Sequence, residues 1–214
     1  MNNPWVDVKV AEYEGHMKFI KQYDLLNRIF KEQIAEHQGE TIGILGIGCG
    51  NGLEYIEPKT LIYGYDINND FLNECRNRHY SLGKNLILNR IDLADKNIDI
   101  HSCDLLISNL VLEYIGLYSF IRIVRKSNPR YISIVTQMTL DCEKVISDSP
   151  YSDSLKLISS IREDIYPQEL TNILDAIGFQ LVNRQLYEID LYKSFIQMDF
   201  VLKTLNLHFN IEKK

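Results

Sequence analysis

Four glycines, Gly46, Gly48, Gly50 and Gly52, follow directly on the short apolar run Thr41-Ile42-Gly43-Ile44-Leu45. Glycine tolerates positive φ and lets backbone N–H groups approach a ligand closely. A strand that passes through such a loop into a helix makes a place for a nucleotide-like molecule, and the helix N-terminus adds a positive dipole end. The spacing is GxGxG. The dinucleotide fingerprint GxGxxG would need its third glycine where this chain has Asn51, so the loop favours a ligand without a pyrophosphate. Two acids continue the pattern. Asp66 ends the run Leu61-Ile62-Tyr63-Gly64-Tyr65, where a carboxylate can accept from both ribose hydroxyls. Asp92 closes a third run, Leu86–Arg90, and can accept from an adenine amino group while Leu93 packs beside the base. In open α/β sheets ligands sit outside the carboxyl ends of strands, and these features fall at three successive ends.

The elements that must position these residues alternate in type. Phe19, Ile20, Tyr23, Leu26, Ile29, Phe30 and Ile34 recur at helical steps, which predicts a helix over 10–37 ended by Gly39. A short helix is expected after the glycine loop, stopping at Pro58, and another from a cap at Asn68 or Asn69 to about Tyr80. Asp104–Ser108 and Tyr131–Val135 read as further strands, with a helix around 117–126 between them. Strands alternating with helices predict a parallel sheet covered on both faces, and continuous apolar runs suit strands buried on both sides. After a helix at 167–177, the rhythm breaks. Phe179–Tyr187 and Phe195–Lys203 lie too close for a crossover helix and should form an antiparallel hairpin. The stretch 137–165, rich in Ser and Asp, reads as an insertion over the sheet.

Bulk properties narrow the function classes. The net charge of −6 lowers the expectation of a nucleic-acid partner, which usually meets a basic face. Cys49, Cys75, Cys103 and Cys142 form no CxxC pair and no metal-ligand spacing, so free thiols and no metal are expected. Free thiols fit a reducing compartment. The N-terminus lacks a signal-peptide pattern and no apolar run approaches the length of a membrane span. These observations together read as cytoplasmic, with no membrane partner.

The motifs together resemble class I S-adenosylmethionine-dependent methyltransferases. Thr41–Gly52 resembles their first motif, Tyr65-Asp66-Ile67 the second, Asp92-Leu93 the third and Asp104–Leu110 the fourth. Tyr13-Glu14-Gly15-His16-Met17 is similar to a Tyr-acid-x-His-Met element that precedes the domain in some bacterial members acting on small molecules. The resemblance implies a doubly wound, mostly parallel, Rossmann-like seven-stranded sheet with an antiparallel last strand. It implies residues 1–40 as a helical cap over the cofactor and 41–207 as the domain that binds S-adenosyl-L-methionine. Carried over residue by residue, the cofactor-binding positions are Tyr13, Gly46, Gly48, Cys49, Gly50, Asp66, Ile67, Asp92, Leu93, Asn109 and Leu110, with Tyr13 reaching the methionine carboxylate. One position departs. The family usually has an acid where this chain has Gly46, to organise the loop and the methionine amino group. Backbone carbonyls in the loop or at Asn109 are the substitutes expected here.

Methyl transfer displaces an activated sulfonium, so alignment can suffice and a base is needed only if the acceptor must lose a proton. Tyr13, His16, Glu113 and Tyr114 are the candidates on the acceptor side, with Gln137, Tyr151 and Arg162 beside the insertion. Ser108-Asn109-Leu110-Val111 is not the Asn/Asp-Pro-Pro-aromatic signature of enzymes that methylate an exocyclic amine in DNA or a glutamine amide, which with the acidic charge argues against a nucleic-acid partner; a small-molecule acceptor is the expectation. The alternatives are a non-catalytic sensor or scaffold for the cofactor or its demethylated product, a protein or RNA methyltransferase, and a nicotinamide-dependent oxidoreductase.

Overall fold

The apolar runs along the chain assemble into one sheet. The structure, a computed structural model, describes residues 3–36, 39–140 and 146–203, the Ser154 side chain excepted. Strands β1 (Thr41–Leu45), β2 (Leu61–Asp66), β3 (Leu86–Arg90), β4 (Leu105–Asn109) and β5 (Tyr131–Thr139) run parallel. The hairpin of β6 (Phe179–Glu188) and β7 (Lys193–Leu202) completes the order β3-β2-β1-β4-β5-β7-β6. β7 inserts between β5 and β6, antiparallel to both. The order reverses between β1 and β4, which opens a crevice at the carboxyl ends of the strands.

Helices cover both faces because successive strand residues point to opposite sides. Leu106 of β4 packs with Phe120, Ile123 and Val124 of α4 (Leu112–Ser127) and with Leu170 and Leu174 of α6 (Pro167–Ala176). Its neighbours Leu105 and Ile107 face the other way. They meet Phe30 of α2 (Gln22–Glu36) and Leu72 of α3 (Asn69–Arg78). The remaining helices are α1 (Val10–Phe19) and α5 (Ser152–Ser159). Cys142 lies outside the described residues; Cys49, Cys75 and Cys103 are free and buried. No helix among the described residues is long and apolar enough to cross a membrane.

Four local expectations are corrected. The helix expected over 10–37 is two helices, broken at Ile20-Lys21, where Lys21 takes φ 59°. The break lets α1 lie against α3 and α5 while α2 packs on the sheet. The helix expected after the glycine loop is only a 3-10 turn, Leu53–Tyr55. Gly50 and Gly52 hold left-handed backbone, at φ 81° and 98°, so right-handed helix cannot start until past them. No helix dipole therefore supports this loop. The helix expected at 117–126 begins at Leu112 and kinks at Gly116. Finally, β5 runs on to Thr139, because β7 pairs with it as far as Thr139↔Lys193.

The N-terminal helices are tied to the sheet by polar groups. Gln33 Nε2 donates to Asn109 Oδ1 at 2.9 Å and to Ser133 Oγ at 2.8 Å, and Asn109 Nδ2 returns a bond to Gln33 Oε1 at 2.9 Å. Ser133 in turn donates to the fully buried Asp199 on β7. Gln33, Ser133 and Asp199 are fully buried and paired, as burial of polar atoms requires, and Asn109 joins them from the cavity edge.

Candidate active site

The site begins where β1 ends. Gly46 takes φ 61°, and a Cβ placed on it would lie 2.4 Å from Val111 Cγ2. The space a side chain would occupy there is filled by Val111. Its delivery depends on Leu110, which leaves β4 in left-handed backbone at φ 59°. A non-glycine residue there carries strain, a feature common at ligand sites. Gly48 differs: nothing lies within 4 Å of where its Cβ would be. Its N–H donates to Asp66 Oδ2 at 2.9 Å, while Asp66 Oδ1 accepts from the Asn68 N–H at 2.9 Å. Burial pushes the Asp66 carboxyl up, and the N–H groups of Asn68, Gly48 and Ile67 pull the other way.

Two adjoining cavities open here. The first is bordered by Gly46, Gly48, Asp66, Ile67, Asp92 and Leu93 on the sheet side, and by Tyr13, Trp5 and Phe71 above. Asp92 spends one oxygen on the Ala94 N–H, at 2.9 Å. Ile67, Ile91 and Leu93 form an apolar slot beside it. The roof is aromatic: Trp5 meets Tyr13 and Tyr114 edge-on, at 5.9 and 5.0 Å between centroids, and Tyr13 lies 5.3 Å from Phe71. Burial pushes the phenols of Tyr13 and Tyr114 up, so both are neutral hydroxyls. The second cavity shares Tyr13, Met17, Gly46, Gly48 and Asn109 with the first and is reached also by Cys49, Gly50 and Glu14. The Cys49 thiol is pushed up to about 12 by burial, with Glu14 contributing, and is no nucleophile. Burial works against the Glu14 carboxylate, but Arg78, at 2.5 and 3.2 Å, and Lys18, at 3.1 Å, hold its carboxyl below the ordinary range. That ion pair latches α1 onto α3.

The first cavity is also lined by Tyr114, Leu110, His16, Gln137 and Lys193, and by the apolar side chains Ile146, Leu155 and Ile158, which pack with the aromatic roof. His16 Nδ1 and Ser149 Oγ are 2.8 Å apart. Burial, then the charge of Lys193, holds the His16 imidazole below its ordinary range. Gln137 is clamped from both sides. Its N–H donates to Glu113 Oε1 at 2.7 Å, and its carbonyl accepts from Arg162 at 3.1 Å.

All eleven expected cofactor positions border one cavity or both. Of the acceptor-side candidates, Tyr13, His16, Tyr114 and Gln137 face the cavity. Glu113 does not; it lies 1% exposed behind the wall, and burial pushes its carboxyl up to about 7. Tyr151 packs over Gly15 of α1, and Arg162 serves Gln137 and Asp164. Sequence reasoning missed Trp5, Phe71, Val111, Gln22 and Lys193. A lone Trp beside the Tyr13 element was a usable signal for the first. Lys193 gave none, because a lysine that opens a strand ordinarily lies in solvent.

No protein-family model and no curated protein matches the chain. Solved structures do. The magnesium protoporphyrin IX methyltransferase ChlM from Synechocystis PCC 6803, with bound S-adenosylmethionine, matches at a TM-score of 0.62 and 14% identity, over 94% of this chain and 88% of its own. The N-methyltransferase NodS from Bradyrhizobium japonicum WM9, in complex with S-adenosyl-L-homocysteine, matches at 0.61 and 10%, over 86% and 88%. The [4+2]-cyclase SpnF matches at 0.60 and 11%, over 85% and 82%. The fold is that of class I S-adenosylmethionine-dependent methyltransferases, with the hairpin strand between β5 and β6. The likeness is one of fold, and a cyclase among the neighbours means that the fold alone does not choose the reaction.

Proposed function

We propose that this chain is an S-adenosyl-L-methionine-dependent methyltransferase that acts on a small-molecule acceptor in the cytoplasm. The observation that carries this reading is the continuous cavity from the Asp66–Asp92 slot to the chamber beyond Tyr114. It has one end suited to an adenosine and a second compartment for an acceptor. The residues present fit the cofactor: Gly48 leaves open space where a side chain would stand, and the Asp66 carboxylate borders the cavity with only backbone N–H groups on it. Asp66 would accept from the ribose hydroxyls, Asp92 from the adenine amine, and Ile67, Ile91 and Leu93 would flank the base. Tyr13, as a neutral hydroxyl, would donate to the methionine carboxylate. With the Asn109 side chain committed to Gln33, the methionine amino group is left to backbone carbonyls of the loop or of Asn109.

Bound there, the cofactor would supply an activated sulfonium methyl for direct displacement by an acceptor lone pair. The protein's part is alignment and exclusion of water. Trp5, Tyr13 and Tyr114 close the roof. His16, held unprotonated near neutral pH by burial and Lys193, would take a proton from an acceptor that must lose one. Residues 1–40 then act as the cap, 41–207 as the catalytic domain, and the part of 137–165 that follows β5 as the acceptor-side insertion. A second reading, a non-catalytic sensor, is favoured by one observation: Val111 occupies the place of the expected acid at Gly46. Calorimetry with S-adenosylmethionine and NAD, followed by a labelled-methyl screen over metabolite pools, separates these. Binding of NAD alone refutes the cofactor; tight S-adenosylmethionine binding with no labelled product selects the sensor.

A further inference from the structure

We propose that the acceptor is an amphipathic carboxylate, and that Lys193 is the residue that pairs with its anionic end. The inference rests on the methyltransferase reading of the cavity. Lys193 opens β7 and borders the acceptor compartment, yet it is only 3% exposed. An ammonium has three protons to donate. Among the described residues its side chain has a single hydrogen-bond partner, the Ser147 hydroxyl at 2.7 Å, and no ion pair. No carboxylate among the described residues stands within ion-pair distance of it. Asp190 accepts through one oxygen from the N–H groups of Tyr192 and Lys193, at 2.7 and 2.9 Å. Burial holds the Lys193 ammonium below its ordinary range; the charges of Asp190 and Asp148 work against that without contact, and the Arg162 guanidinium adds to it.

Enclosing an ammonium without a contacting counter-ion is unfavourable, so buried charges are normally paired. Here the missing partner has an open place to stand, because the cavity borders Lys193. The rest of the compartment sets the chemistry of what arrives. Ile146, Leu155 and Ile158 present aliphatic surface, and Tyr114 an aromatic face, so the body of the ligand is apolar. Gln137 and His16 add neutral polar contacts near the cation. One cation among neutral and apolar groups suits a monoanion, a carboxylate, better than a phosphate, which recruits several donors.

The test uses the whole chain loaded with S-adenosyl-L-homocysteine and two probe pairs: decanoate and 3-phenylpropanoate, each against its primary amide. Calorimetry should show the acids binding at least about tenfold more tightly than the amides, the size of one charge-assisted hydrogen bond. Lys193→Met should abolish that preference and shift S-adenosyl-L-homocysteine affinity less than about twofold; Lys193→Arg should retain part of it. Equal binding of acid and amide, no binding of either acid, displacement of the acids by equimolar inorganic phosphate, or a preference that survives Lys193→Met each overturns the proposal. If Lys193→Met does not fold, the wild-type acid-against-amide comparison still decides. Failure of S-adenosyl-L-homocysteine to bind would instead strike the cofactor reading, and the acid preference is then measured without it.

Discussion

Gly46 and Val111 form a pair in which the absence of one side chain makes room for the other. An aspartate at 46 would have to hold φ 61° and would place its Cβ 2.4 Å from Val111 Cγ2. Left-handed backbone costs a residue with a Cβ roughly 1–2 kcal/mol, and overpacking adds about 1–3 kcal/mol. Gly46→Asp should therefore lower the chemical-denaturation stability by at least about 2 kcal/mol. Adding Val111→Ala should recover part of that loss, with a coupling of about 1 kcal/mol in a double-mutant cycle. Strict additivity of the two changes would refute the pairing. Asp66 carries the companion prediction. Its two oxygens hold the Gly48 and Asn68 N–H groups, at 2.9 Å each. Asp66→Ala should weaken S-adenosylmethionine binding by about 1–3 kcal/mol, the cost of leaving polar partners unsatisfied. Unchanged calorimetric affinity would remove Asp66 from the ribose site. Asp66 was legible because an acid at a strand end is a local pattern. Val111 was not, since its role depends on a loop 65 positions earlier in the chain.

Elements meet at Asn68. Its Oδ1 accepts from the N–H groups of Asp70 and Phe71 and so caps α3, as its place before the helix suggested. Its Nδ2 donates to the carbonyls of Trp5 and Val8, at 2.9 and 2.8 Å. One side chain thus starts a helix and fastens the N-terminal segment that brings Trp5 into the roof. Asn68→Ala should cost about 0.5–2 kcal/mol through the cap. Hydrogen exchange should rise in Asn3–Val8 more than in the strands; uniform exchange across the chain would mean that the fastening is unimportant. The division of the first helix into α1 and α2 belongs to the same scale. The apolar stripe of α2 was readable, and Ile29 and Phe30 pack on the sheet; α1 meets α3 through other residues, Tyr13 and Glu14, and Phe19 of the stripe is left exposed.

Glu113 affects the molecule as a whole through pH. Its buried carboxyl is pushed up to about 7 from an ordinary value of 4.5, so the native state holds this proton where the unfolded chain releases it. Such a group stabilises the fold below the unfolded value, and that contribution is lost as pH rises through the native one. Stability should fall between about pH 4.5 and 7, by about 3 kcal/mol at most. The raised Asp66 acts in the same direction, whereas His16 and His79, lowered by burial, oppose it below pH 6.5. The readout is therefore a difference. Glu113→Gln keeps an oxygen for the Gln137 N–H and should gain stability relative to wild type from pH 5 to 8; parallel denaturation profiles would refute the assignment. What the chain determined by itself was the local part: seven apolar runs, the glycine spacing, acids at strand ends and a hairpin too short to cross over. These follow from backbone sterics and side-chain periodicity, which act between near neighbours. Only the tertiary structure decided that the glycine loop leads into no true helix, that Glu113 sits behind the wall and Lys193 within it, and that Val111 fills the space at Gly46. The first turns on the left-handed backbone that Gly50 and Gly52 adopt in the folded loop; the others are matters of burial, and burial is set by residues brought together from distant parts of the chain.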